Sequence, residues 1–375
     1  MLPDNDLHKA QGVKEEFHAF CSRGRLAGTA GNMAASQFLK RSLEAEGYTA
    51  YVDVDRHRAL SPLAVCAAFC PLILLGWLTG GGVSSSVAAA LALGPMLRAA
   101  YYIHRQTPLA VFGVRQQQAP DRPLPTVVFG AHFDTASIPI RGSFLVANLI
   151  VVLILAAFLT LARFVSAPLA VLAAGLYGVL FFMGNASPGG DDNASGVFTV
   201  LACIRRLKEV SDVNVVPVFF NFEEEGLFGS GAWFASYLSR KASGIPGTSI
   251  DLEKAYVLNF DCVGRGQRIF VSGNKELVRM ILATSSAQML GVKATSLYPS
   301  DHLSFRRPWR AVSFAKANRY WAFDLGWLHS TADIPSEVCM SYLDELSRIV
   351  EEFVKGPGIR IGNPAVNGRP PGFSV

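Results

Sequence analysis

The chain has 375 residues, of which 50% are hydrophobic and 17% charged, and its mean hydropathy is +0.30. That balance is too apolar for an ordinary globular enzyme and predicts membrane segments beside a globular part. The net charge of +5 is scattered rather than striped, which argues against a nucleic-acid partner.

The six cysteines show neither a zinc-ribbon spacing nor a disulfide framework, which fits a reduced compartment. The start, Met1-Leu2-Pro3-Asp4-Asn5-Asp6, is polar and acidic and predicts no cleavable signal peptide. Residues 7–20 have helical spacing, 25–32 form a turn-rich link, and 33–46 read as an amphipathic helix with Phe38, Leu39 and Leu43 on one face. Residues 48–55 alternate like a strand. From 59 to 97 no residue is charged, and a Gly/Ser-rich break near 78–86 divides the run. About 20 apolar residues span a bilayer, so 59–103 predicts a transmembrane helical hairpin.

Strands follow at 108–116 and 126–131, the second running into Gly130-Ala131-His132-Phe133-Asp134-Thr135. A second apolar block, 143–184, carries one charge, Arg163, and predicts a second hairpin. Arginines 56, 58, 98, 105 and 141 flank the hairpins on the domain side, so the positive-inside rule places the globular part in the cytoplasm of a multi-pass integral membrane protein with four crossings.

The stretch Gly189-Gly190-Asp191-Asp192-Asn193-Ala194-Ser195-Gly196 comes next. Adjacent carboxylates between glycines at a helix start suit a metal ion, though an Asp N-cap explains the same letters. A helix is predicted over 197–210 and an apolar strand over 214–222, ending in Glu223-Glu224. Further strands are predicted at 255–260, ending in Asp261, at 268–272 and at 311–315. Helices are predicted at 276–290 and 336–354. Ser300-Asp301-His302 and 328–333 are read as loops, and 356–375 as a loose tail.

Helices alternating with apolar strands predict a three-layer α/β domain with a mostly parallel central sheet. Ligands in such sheets bind at the carboxyl ends of strands. His132, Asp191, Glu223, Glu224 and Asp261 all fall at strand ends or the following helix starts. With His329 they make a mixed imidazole and carboxylate set that suits zinc, with cobalt or manganese as alternatives. One carboxylate of the Glu pair can ligate while the other acts as general base, and Asp134 can fix the tautomer of His132.

In combination these motifs resemble metallopeptidase family twenty-eight, the zinc exopeptidases that include bacterial aminopeptidases and glutaminyl cyclases. Asn259-Phe260-Asp261, Ser300-Asp301-His302, His329 to Asp333 and the link Arg25 to Asn32 also match. The resemblance implies two Zn²⁺ ions. His132 and Asp261 would hold one, Glu224 and His329 the other, and Asp191 would bridge both. Glu223 would be the general base, and Asp192 would follow the bridging Asp across a cis peptide bond. All ligand positions are filled, which leans away from catalytically dead members and from one-zinc glutaminyl cyclases. Tyr298 and His302 are candidates for oxyanion or substrate contacts.

The expected organisation is one peptidase domain made of 1–58, 104–142 and 185–355, interrupted by hairpins at 59–103 and 143–184, with the bilayer close to the site. The expected activity is an aminopeptidase acting on peptides, apolar or membrane-associated ones included. The alternatives are a deacylase acting on a lipid-linked amide, and a non-catalytic membrane scaffold.

Overall fold

The computed structural model describes residues 4–54, 107–115, 124–137, 184–224, 226–239, 255–295, 298–305, 309–318, 327–356 and 359. Within them one twisted sheet collects eight strands: β1 (Thr49–Asp53), β2 (Ala110–Val114), β3 (Thr126–His132), β4 (Asn214–Phe220), β5 (Tyr256–Phe260), β6 (Arg268–Gly273), β7 (Lys293–Thr295) and β8 (Arg310–Ala317). Their spatial order is β1-β2-β4-β3-β5-β8-β6-β7. The centre, β4-β3-β5-β8, is parallel. The margins turn antiparallel, where β2 joins β4 and β6 joins β8.

The central strands are buried along their whole length because helical layers cover both faces. Successive side chains of a strand point to opposite faces. Val127, Phe129 and Ala131 therefore enter a core shared with Phe17, Leu39, Leu201, Leu346 and Ile349, whereas Val128 enters the opposite one with Trp233, Phe305 and Trp309. The first face is covered by α1 (Asp4–Phe20), α2 (Ala30–Ala45), α3 (Gly196–Arg206), α5 (Lys275–Leu282) and α7 (Met340–Lys355). The second face is covered by α4 (Phe228–Ser239). This is the three-layer arrangement expected from the sequence, with antiparallel margins added.

Local chemistry sets several boundaries. Thr29 caps α2 by accepting from the backbone N–H of Asn32 at 3.3 Å. The helix expected over 276–290 is two helices, α5 and α6 (Ser285–Met289), because Thr284 breaks the run and caps the second by accepting from the N–H of Ala287. The last helix begins at Met340 rather than 336, after a short 3₁₀ turn at Pro335–Glu337. Strand β7 was not expected at all.

The membrane expectation is corrected. Among the described residues no helix is long and apolar enough to cross a membrane. The longest helices, α1, α2 and α7, have 17, 16 and 16 residues and carry charged side chains along their length. The described residues form an α/β domain that contains none of the four expected transmembrane helices, which points against the multi-pass localisation and the bilayer as a partner. The two apolar stretches themselves, 59–103 and 143–183, lie outside the described residues, as does nearly all of the 356–375 tail. Apolar length alone does not identify a crossing, because a run of about 20 apolar residues is compatible with a membrane span and with burial inside protein alike.

Candidate metal centre

Four parallel strands end on one edge of the sheet, and the segments leaving them carry the acidic and imidazole groups. His132 is the last residue of β3, Glu223 and Glu224 follow β4, and Asp261 follows β5. Residues Gly190–Ser195 form a wide turn leading into α3, and His329 reaches the same place from the 327–334 loop.

That wide turn depends on its glycines. Gly189 has φ +61°, and a Cβ there would meet Thr135, the Asp192 carbonyl and the Arg25 guanidinium, all within 2.7 Å. At Gly196 a Cβ would lie 2.3 Å from both the Asn193 side chain and the Phe260 carbonyl, so only glycine lets α3 approach β5 this closely. A non-proline cis peptide bond falls between Asp192 and Asn193, one residue later than expected.

The carboxylate that faces both imidazoles is Asp192, not Asp191. One oxygen of Asp192 is 3.2 Å from Nε2 of His132 and the other 3.1 Å from Nε2 of His329. Asp191 points elsewhere. Its Oδ1 accepts from the N–H groups of Gly264 (2.7 Å) and Arg265 (3.1 Å), and its Oδ2 accepts from the indole N–H of Trp327 at 3.0 Å. Asp333 fixes the turn from below by accepting from the N–H groups of both aspartates, at 2.7 and 3.0 Å.

The other expected groups converge. Nε2 of His132 is buried and makes no hydrogen bond among the described residues, although carboxylate oxygens of Asp192, Asp261 and Glu223 lie at 3.2, 3.5 and 4.0 Å. Nε2 of His329 is 2.7 Å from Oε2 of Glu224. Asp134 sits behind His132, with Oδ1 at 3.6 Å and its carbonyl at 3.2 Å from Nδ1. Its carboxylate also accepts from the N–H groups of Glu223 and Glu224, both at 3.3 Å. The donor sets His132–Asp192–Glu224, His132–Glu223–Asp261 and Asp192–Asp261–Cys262 each have ligand atoms within 4.8 Å of one another.

The two candidate substrate groups flank this cluster on the side of Asp261. The Tyr298 hydroxyl donates to the Asp261 carbonyl at 3.4 Å. His302 lies in a 3₁₀ turn, Asp301–Ser304, with a buried Nδ1 that has no partner among the described residues.

Electrostatics mark the same place. Burial alone would lower the pKa of His132, but the charge of Glu223 and contacts to Asp134, Asp192 and Asp261 push it well above the ordinary imidazole value. His329 is raised against its burial by Glu224 and Asp192. Burial raises Glu223, opposed by His132 and reinforced by Asp261, Asp301 and Glu224. Asp192 is held far below the carboxylate range despite burial, because both imidazoles bind it. Burial lowers His302 to about 4, so its imidazole is neutral at neutral pH. Clusters of strongly perturbed groups in one place are typical of functional sites.

Some contributors have roles that the sequence does not show. Arg25 is buried, and its guanidinium donates to the carbonyls of Phe133 (2.9 Å), Pro188 (2.7 Å) and Gly189 (2.9 Å), tying the His132 loop to the double-Asp turn. The sequence alone places it in a turn-rich link. Trp327 and Asp333 hold the aspartate turn, a role that only the tertiary structure reveals.

Against this geometry the comparisons agree. The sequence profile described as Peptidase family M28 matches residues 111–354. The chain belongs to peptidase family M28. Among solved structures, an aminopeptidase from Aneurinibacillus sp. strain AM-1 is similar at 15% identity and TM-score 0.57, over 92% of this chain and 93% of that one. LapB from Legionella pneumophila is similar at 15% identity and TM-score 0.55, over 91% and 70%. Glutaminyl cyclase from Porphyromonas gingivalis gives 15% identity and TM-score 0.53, over 92% and 95%. At these identities the likeness is one of fold. No protein of curated function matches the sequence.

Proposed function

We propose that this M28 chain is a two-zinc aminopeptidase, built as one catalytic domain. The observation that carries the reading is the placement of Asp192, one oxygen toward each imidazole. His132, Asp192 and Asp261 would hold one zinc. His329, Asp192 and Glu224 would hold the other. Cobalt could replace zinc in this nitrogen and oxygen set, and manganese less well. When bound, such ions polarise a carbonyl and make water nucleophilic at neutral pH.

The chain's own groups supply the rest. Glu223 stands beside the cluster without a second imidazole contact, and its raised pKa suits a group that takes a proton from water and returns it to the leaving amine. Asp134 orients His132 and, through its bonds to two backbone N–H groups, sets where both glutamates begin. Tyr298 and His302 are the candidates for holding the substrate carbonyl, the neutral His302 as a dipole rather than a charge.

The deciding assay is hydrolysis of aminoacyl amides beside matched N-acylated amides and a peptide with N-terminal glutamine. Release of free amino acids from the free-amine substrates alone is the expected result. Cleavage confined to acylated amides would make the enzyme a deacylase, and loss of ammonia without release of glutamine would make it a cyclase, as in the Porphyromonas neighbour. Glu223→Gln should lower kcat by about 10²–10⁴-fold while zinc content by elemental analysis stays unchanged. A variant that kept its activity would remove Glu223 from the mechanism.

A further inference from the structure

The two proposed metal positions rest on different supports. His132 ends β3 and Asp261 follows β5, and these strands are direct neighbours in the sheet. Glu224 and His329 lie in connecting segments instead, and His329 takes a left-handed backbone conformation, φ 53°. The sheet therefore aligns the first pair, and contacts outside it must align the second.

Glu224 is held from the 134–137 segment. Its Oε1 accepts from the N–H of Ala136 at 3.2 Å, while its Oε2 lies 2.7 Å from Nε2 of His329. One oxygen is thus fixed by backbone and the other is left facing the imidazole. The same segment is fastened to 184–187. Ser137 donates its N–H to the Gly184 carbonyl at 2.9 Å, and Gly184 donates its N–H to the Ser137 carbonyl at 2.7 Å. This antiparallel bridge lies outside the eight-stranded sheet. Ser137 Oγ also accepts from the N–H of Ala186 at 3.0 Å. The approach is close, since a Cβ at Gly184 would stand 2.7 Å from Ser137 Oγ. Upstream of Ala136 the chain has separate anchors. The N–H of Phe133 donates to the Phe220 carbonyl at 2.9 Å, and Thr135 exchanges bonds with the backbone of Arg25 at 2.8 and 3.3 Å.

We propose that the Ser137–Gly184 clasp is the positioning device for the metal position of Glu224 and His329, and not for that of His132 and Asp261. The inference rests on the two-zinc reading and deepens it, since that reading leaves the two positions equally supported. An open clasp lets the N–H of Ala136 withdraw, and Glu224 then rotates away from His329. Losing such a partner of a ligating carboxylate weakens metal binding by about 10–100-fold. His132 keeps its alignment, because β3 and the anchors at Phe133 and Thr135 do not involve the clasp.

The test is zinc affinity, measured by competition with a chelator on the full chain in two backgrounds. Asp261→Asn leaves the Glu224 position as the stronger one, and Glu224→Gln leaves the His132 position. Gly184→Pro removes one N–H of the clasp. In the Asp261→Asn background it should weaken zinc binding about tenfold or more. In the Glu224→Gln background it should change nothing. Should Gly184→Pro fail to fold, Ser137→Ala removes only the bond to Ala186 and should give a smaller loss, again in the Asp261→Asn background alone. Equal losses in both backgrounds, or loss in neither, would overturn the clasp inference and leave the two-zinc reading standing. Fewer than two zincs bound by the unsubstituted chain would overturn both.

Discussion

Asp191 and Asp192 are chemically identical neighbours with opposite duties. Asp191 spends its lone pairs on two backbone N–H groups and an indole, so it is a structural acceptor. Asp192 reserves both oxygens for the imidazoles. Asp192→Asn should therefore cut metal content at both positions and abolish activity. Asp191→Asn should retain metal but lose about 1–3 kcal/mol of stability, because buried donors lose a charged acceptor. Elemental analysis beside thermal melting separates the two, and an exchange of phenotypes would restore Asp191 as the bridge. Sequence could not decide this register. The letters Asp-Asp fix the chemistry, while Gly264, Trp327 and Asp333, 73 to 142 residues away, decide which of the two turns inward. Arg25 makes the same point. Replaced by Met, it takes a donor from the carbonyls of Phe133, Pro188 and Gly189, of which the last keeps the N–H of Ala194, and should cost about 3 kcal/mol. Lys should recover little, since a single ammonium cannot fork to three acceptors. Chemical denaturation would measure both, and full recovery by Lys would mean that charge alone matters there.

Elements were legible where periodicity was strong and illegible where pairing decides. The apolar β3, β4 and β5 announce themselves, and the site groups at their carboxyl ends follow from parallel-sheet geometry. Strand β7, three residues with an exposed pattern, has no such signal. The antiparallel joins of β2 and β6 likewise exist only in the assembled sheet. Helix docking is similar. α3 and α7 are linked by Arg206, which binds Asp344, Ser347 (2.7 Å) and Glu351 (3.2 Å). Burial would raise the Asp344 pKa, but Arg206 and Arg348 outweigh it and hold the carboxyl below its usual range. A carboxylate depressed in the folded state stabilises above its unfolded pKa, near 4, and the gain fades as pH falls through the folded value. Asp344→Asn should thus cost about 0.5–1 kcal/mol at pH 7, allowing for solvent screening of a half-exposed pair. The difference should vanish at the lowest pH that still permits folding. Urea melts at pH 7 and pH 3.5 would check it. An equal cost at both would locate the effect in packing rather than charge.

At the scale of the whole molecule, the centre concentrates charge that the fold alone does not neutralise well. Burial raises Asp191 and Glu224 as it raises Glu223, and Asp301 and Asp333 are pushed up to about 7. Their neighbours raise His132 and His329. For each of these groups the native state binds a proton more tightly than the unfolded chain. The stability this gives is complete below the unfolded pKa, about 4 for the carboxyls and 6.5 for the imidazoles. It is lost as pH rises through the folded value. Asp192, depressed, acts in the opposite sense but is one group against seven. Metal-stripped protein should therefore lose stability between pH 5.5 and 8.5. Zinc reverses the sign, because deprotonated imidazoles and carboxylates are its ligands and protons compete with it. Zinc at 100 times its Kd adds about 2.7 kcal/mol, which at about 2 °C per kcal/mol for a large domain is roughly 5 °C in Tm. The gap between zinc-loaded and chelator-treated samples should be smallest at pH 5.5 and widen toward 8.5. Scanning calorimetry at four pH values measures it directly. A gap that stayed constant or narrowed with pH would mean that the imidazole and carboxylate cluster is not where the metal binds.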